Sequence, residues 1–127
     1  MKRFQILFLL CLALSFTFSI FAQDTKEVII LQTSDVHSRI EPINQKGDKY
    51  YNKGGFVRRA AFLEQFRKDH KNVLLFDCGD ISQGTPYYNM FRGEVEIKLM
   101  NEMGYDAMTI GNHEFDFDVD NMERIFK

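Results

Sequence analysis

Three short polar clusters hold the residues able to do chemistry: Ser34-Asp35-Val36-His37, Asp77-Cys78-Gly79-Asp80 and Gly111-Asn112-His113-Glu114-Phe115-Asp116. Aspartate, histidine and asparagine meeting at one spot would offer mixed oxygen and nitrogen donors. That mixture suits Zn, Mn, Fe or Co better than Ca or Mg, which take oxygen. Asp35 and His37 alternate by two, so along an extended segment both side chains point the same way. Gly79 permits a tight turn that lets Asp80 face a cleft. A carboxylate has two oxygens, so Asp80 can bridge two cations about 3.5–4 Å apart, the separation used in two-metal hydrolysis. Asn112 adds a carbonyl oxygen without adding negative charge.

Two look-alike motifs fail on their own chemistry. Gly79-x4-Gly84 imitates a phosphate loop, but Thr85-Pro86 stands where Lys and a hydroxyl residue belong. Asp116-x-Asp118-x-Asp120 imitates a calcium loop, but Asn121 replaces the glycine and Lys127 the final glutamate. Asp118 and Asp120 read instead as N-terminal caps of a last helix. Cys78 is expected to be a small buried residue, and His70 a solvated one. Arg39 to Lys71 holds nine Lys/Arg against four Asp/Glu. It reads as a solvated loop and helix face. Phe56, Phe62 and Phe66 are core candidates.

Each cluster directly follows a short apolar run: residues 27–33, 72–76 and 107–110. Continuous apolar runs of this length suit strands buried on both faces of a parallel sheet. Between the first two, residues 56–68 place Phe56, Ala60 and Leu63 on one helical face. Between the second and third, residues 94–103 bring Leu99, Met100 and Met103 together, with Gly104 as a C-terminal cap. Met122, Ile125 and Phe126 have helical spacing, with no Gly or Pro after them. The order is β-α-β-α-β-(α), an α/β layer with right-handed crossovers. In such a sheet the carboxyl ends of the strands build the site, so the three clusters should converge there.

The chain has 127 residues, 45% of them hydrophobic and 27% charged, with a net charge of −2. That allows one small domain and excludes wholesale disorder. It gives no reason to expect a nucleic acid polymer as partner. Lys2 and Arg3 precede an unbroken apolar run, residues 6–14, and Ala22-Gln23 closes the segment. This is the pattern of a cleaved secretory signal over residues 1–22, cut after Ala22, which implies a periplasmic or extracellular protein. A retained membrane anchor is the alternative, although 19 residues with three hydroxyls barely span a bilayer. Cys11 leaves with the signal, so Cys78 stays single and no internal disulfide can form.

Asp35-x-His37, then Gly79-Asp80, then Gly111-Asn112-His113-Glu114, in this order, resembles the calcineurin-like metallophosphoesterase superfamily. The strings FDCGDISQGTP (76–86) and MTIGNHEFD (108–116) resemble its 5′-nucleotidase branch. The likeness runs from Val28 to the end. It implies the N-terminal βαβαβ portion of a metallophosphoesterase α/β sandwich, incomplete over 23–127. It implies two divalent metal ions, with Asp35 and His37 on the first, Asp80 bridging and Asn112 on the second. His113 becomes the catalytic histidine, oriented by Asp116. The substrate becomes a small phosphoester such as a nucleotide, since Gln83-Gly84-Thr85-Pro86 stands where the superfamily's protein phosphatases carry Asp-Arg-Gly. The family adds further histidines downstream and a separate specificity domain, whereas no histidine follows His113 here. The 127 residues alone are therefore expected to lack turnover. The competing expectation is a non-catalytic exported domain that binds metal weakly.

Overall fold

The computed structural model of the chain describes residue 5 and residues 25–127. The segment read as a signal, with its cut after Ala22, therefore lies outside the described residues apart from residue 5. Three parallel strands form one sheet in the order β1-β2-β3: β1 Ile29–Thr33, β2 Val73–Asp77 and β3 Ala107–Met108. Ile29 pairs with Val73, Thr33 with Asp77, and Asp77 in turn with Met108. Helix α1, Gly55–Asp69, connects β1 to β2, and helices α2, Pro86–Phe91, and α3, Glu94–Glu102, connect β2 to β3. A 3-10 turn, His113–Phe115, and helix α4, Val119–Phe126, complete the described fold.

Both crossovers step the same way along the sheet, so right-handed connections put their helices on one face. That face carries the core. Leu31, Leu75 and Met108 meet Phe56 and Leu63 of α1, Ile97 and Met100 of α3, and Ile125 of α4. The opposite face stays open among the described residues: Ile30 is 64% exposed, and Leu74 and Cys78 are exposed as well. The apolar runs had suggested strands buried on both faces and a buried Cys78. The structure corrects both points, because Cys78 follows β2 on the face that no crossover covers.

Local sequence explains most boundaries. The first amides of α1 find no side-chain cap. Instead, the N–H groups of Phe56 and Val57 donate to the carbonyls of Arg39 and Ile40, at 2.9 and 3.2 Å. The buried line of α1 runs through Phe56 and Leu63, leaving Ala60 and Phe62 exposed, contrary to the expectation that they join the core. Phe62 sits one residue, about 100° of helix, from Leu63. Helix α2 escaped the sequence reading because it is only six residues long, although Pro86 at its first turn is a start signal. Gly104 ends α3 in the left-handed region, its φ +67°, as its cap role requires. Asp118 caps α4 by accepting the Asn121 N–H at 2.9 Å. Asp120 instead lies inside the first turn, where an acid complements the helix dipole.

Leu75 is 2% exposed at the centre of the core, whereas Val57 is 57% exposed. Leu75→Ala should lower the stability of the complete protein by about 2–5 kcal/mol. Val57→Ala should stay within about 0.5 kcal/mol. Urea unfolding midpoints separate the two, and equal shifts would refute this placement of the core.

Candidate metal centre

Parallel strands end on one side, so the segments leaving β1, β2 and β3 arrive at the same edge. The segment from Gly79 to Ser82 is held there on both sides. On its carbonyl side, Gly79, Asp80 and Ile81 accept the N–H groups of Asp35, His37 and Ser38, at 3.0, 3.1 and 2.7 Å. On its amide side, Gly79 donates to the Asp77 carboxylate at 2.8 Å. Asp80 and Ser82 donate to the Glu114 carboxylate at 3.0 and 3.1 Å.

This ladder brings three of the expected residues together. Asp35, His37 and Asp80 each offer a donor atom within 4.8 Å of the others. They do so by a route the sequence did not suggest. Asp35 and His37 are not extended: their φ values are +52° and +43°, and those of Ser38 and Asp80 are +51° and +55°. A tight left-handed turn, pinned by the ladder, does the converging. Positions of this kind are costly and persist where the surroundings fix them. The His37 Nδ1 lies 3.2 Å from the Ser82 carbonyl. With Nδ1 donating there, Nε2 keeps its lone pair and faces Asp35 Oδ1, 4.0 Å away.

Two glycines let the second and third segments touch. A Cβ on Gly79, whose φ is +94°, would lie 2.7 Å from the Gly111 nitrogen. A Cβ on Gly111 would run into the Asp80 carboxylate, with the Asp80 nitrogen at 2.5 Å. The same contact cuts β3 short of the expected residues 107–110. Thr109 makes one more ladder bond to Asp77, then the Gly111 N–H turns to Glu114, at 2.6 Å.

The third segment holds the remaining expected residues. His113 donates its backbone N–H to Asp80 Oδ1 at 3.1 Å. Its ring stands edge-on to that of His37, centroids 5.3 Å apart. Its Nδ1 lies 3.0 Å from Asp116 Oδ2. That hydrogen bond, foremost, raises the His113 pKa above its ordinary value. Asn112 is exposed and precedes the 3-10 turn, its carbonyl accepting the Phe115 N–H at 3.2 Å. The buried Tyr88 hydroxyl donates to the His113 carbonyl at 3.0 Å. Burial first, then nearby carboxylates, push Tyr88 up to about 12, so it remains a donor.

The sequence reading gave no role to Glu114 or Asp77, yet they are only 1% and 2% exposed. Burial raises the Asp77 pKa, opposed by hydrogen bonds from Thr33 and Gly79. Arg59 donates to the Tyr105 hydroxyl at 3.0 Å, which lies 2.9 Å from Thr33 Oγ1, which in turn donates to Asp77. The only sequence signal for these two acids was their place inside the polar clusters.

Residues 28–127 match the family described as calcineurin-like phosphoesterase. The chain belongs to that family. It is 45% identical over 93 residues to snake venom 5′-nucleotidase from Gloydius brevicauda, covering 71% of this chain and 16% of the relative. It is 41% identical over 100 residues to human 5′-nucleotidase, covering 76% and 17%. The crystal structure of a 5′-nucleotidase precursor from Thermus thermophilus superposes with a TM-score of 0.67 at 34% identity, over 77% of this chain and 20% of that one. Haemophilus influenzae NAD nucleotidase gives the same TM-score at 35% identity, over 77% and 18%. The fold is thus the N-terminal portion of that α/β architecture, and the chain spans about one sixth of its curated relatives' length.

The donor set fits a divalent cation, since two carboxylates and an oriented imidazole converge. Gly111→Ala should displace the Asp80 carboxylate and weaken Mn²⁺ binding by on the order of 10–100-fold. Titration calorimetry on the complete protein reads this, and unchanged affinity would show that the close approach is dispensable.

Proposed function

We propose that the complete protein is an exported phosphoesterase of the 5′-nucleotidase type that works with two divalent cations. The convergence of Asp35, His37 and Asp80 beside the His113–Asp116 pair carries this reading. Family membership and the nucleotidase relatives support it. In this reading Asp35 and His37 would hold one cation, Asp80 would bridge to the second, and Asn112 would serve the second. Zn, Mn, Fe or Co suit these ligands. Two such cations, when bound, supply Lewis acidity that polarises a phosphoryl oxygen and lowers the pKa of water toward ~7.

The chain's own residues then position and neutralise. His113 donates Nδ1–H to Asp116, which fixes its ring and leaves Nε2 to face the phosphoryl group. A protonated ring held this way stabilises negative charge gathering on the phosphoryl oxygens. The substrate is a small phosphomonoester, with nucleoside monophosphates foremost, not a nucleic acid polymer. Residues 1–22 direct export to the periplasm or outside the cell. The remaining cation ligands come from the part of the complete protein that the relatives possess beyond this match, together with a domain that selects the substrate.

Asp80→Ala in the complete protein should lose more activity than any other single ligand change, and both metals with it. His113→Ala should keep its metals while phosphate release falls about 10²–10⁴-fold. Metal content per protein and phosphate release from nucleoside monophosphates check both. Full metal loading of the Asp80 variant would remove the bridging role. A metal-loaded complete protein that releases no phosphate would favour a non-catalytic binding domain. Residues 23–127 expressed alone should give no metal-dependent turnover, because four ligands are too few for two adjacent cations.

A further inference from the structure

Glu114 is a buried carboxylate whose two oxygens accept three backbone N–H groups from two different segments. Oε2 takes those of Asp80 and Gly111, at 3.0 and 2.6 Å, and Oε1 takes that of Ser82, at 3.1 Å. Each of these amides belongs to a residue that controls a donor atom. Asp80 carries one itself. The Ser82 carbonyl fixes the His37 ring through Nδ1. Gly111 lies against the Asp80 side chain, and His113, beside Glu114, donates its N–H to Asp80 Oδ1. A carboxylate is the one side-chain group that accepts on both arms with no proton to turn away, so three donors aimed at it are all satisfied.

We propose that Glu114 is the positioning residue of the cation site, clamping the Asp80–Ser82 and Gly111–His113 segments so that Asp80 and His37 present their donors before any cation arrives. This rests on the metal-site reading above. Glu114 does not itself face the cation. Its oxygens are occupied by amides, it is buried, and it is not part of the Asp35, His37 and Asp80 donor group. The alternative physics is a site that the cation assembles, with the loops ordered only once the charge is present.

Glu114→Gln keeps the shape but turns an amide donor toward one of the three N–H groups. In the complete protein it should weaken Mn²⁺ affinity about 10–100-fold, measured by chelator competition, with KM for a nucleoside monophosphate little changed and kcat reduced. Glu114→Asp, which keeps the charge but shortens the reach, should fall between the Gln variant and the parent. Amide hydrogen exchange on the unmutated, metal-stripped protein supplies a readout that does not depend on a variant folding. The Asp80, Ser82 and Gly111 amides should already be protected, and added Mn²⁺ should change them little. The proposal is overturned if those amides exchange freely until metal is added, or if the Gln variant binds Mn²⁺ within twofold of the parent. A complete protein that protects these amides but binds no metal would instead refute the metal-site reading and leave the clamp standing.

Discussion

Everything at the active edge depends on how four residues, Gly79 to Ser82, satisfy their backbone. They leave a strand and therefore lose the ladder that paired the residues before them. Buried polar groups without partners are costly, so new partners must be found close by. The turn after β1 supplies donors for three carbonyls, and the carboxylates of Asp77 and Glu114 supply acceptors for three amides. Hydrogen bonds to charged groups contribute about 1.5–3 kcal/mol each, roughly twice the neutral kind. Together with the neutral bonds from the turn after β1, they hold four non-glycine residues, Asp35, His37, Ser38 and Asp80, in the left-handed region.

The same arrangement concentrates negative charge. Asp35, Asp80, Asp77, Glu114 and Asp116 all lie in the converging segments, and Arg59 reaches Asp77 only through Tyr105 and Thr33. Amide dipoles stabilise the inner acids, Asp77 and Glu114. Asp80 accepts one amide, that of His113, and Asp35 and Asp80 hold oxygens within reach of the His37 ring and of each other. The inner carboxylates bind backbone amides, while the outer ones converge with the His37 ring.

The open sheet face follows from the same topology. Two crossovers stepping in one direction must share a face, so Ile30, Leu74 and Cys78 are left without cover by any described element. The helices that do cover the sheet pack where they can brace the site. Helix α1 carries Arg59, and α2 carries Tyr88 to the His113 carbonyl.

The sequence by itself determined the succession of strands and helical crossovers and which three clusters meet, because apolar periodicity and residue type are local properties of the chain. Asp35, His37, Asp80 and Asn112 were legible as candidates for that reason, and His113 and Asp116 through the family resemblance of their cluster. Only the tertiary structure decided how Asp35 and His37 converge, since a left-handed turn depends on carbonyls more than forty residues away in the chain. It also decided that Ala60, Phe62 and Cys78 face outward, because burial depends on which side the crossovers take. Above all it separated Glu114 from the other acids of its cluster. A glutamate in sequence shows a charge, but whether that charge meets water, a cation or three backbone amides is settled by what the fold brings to it.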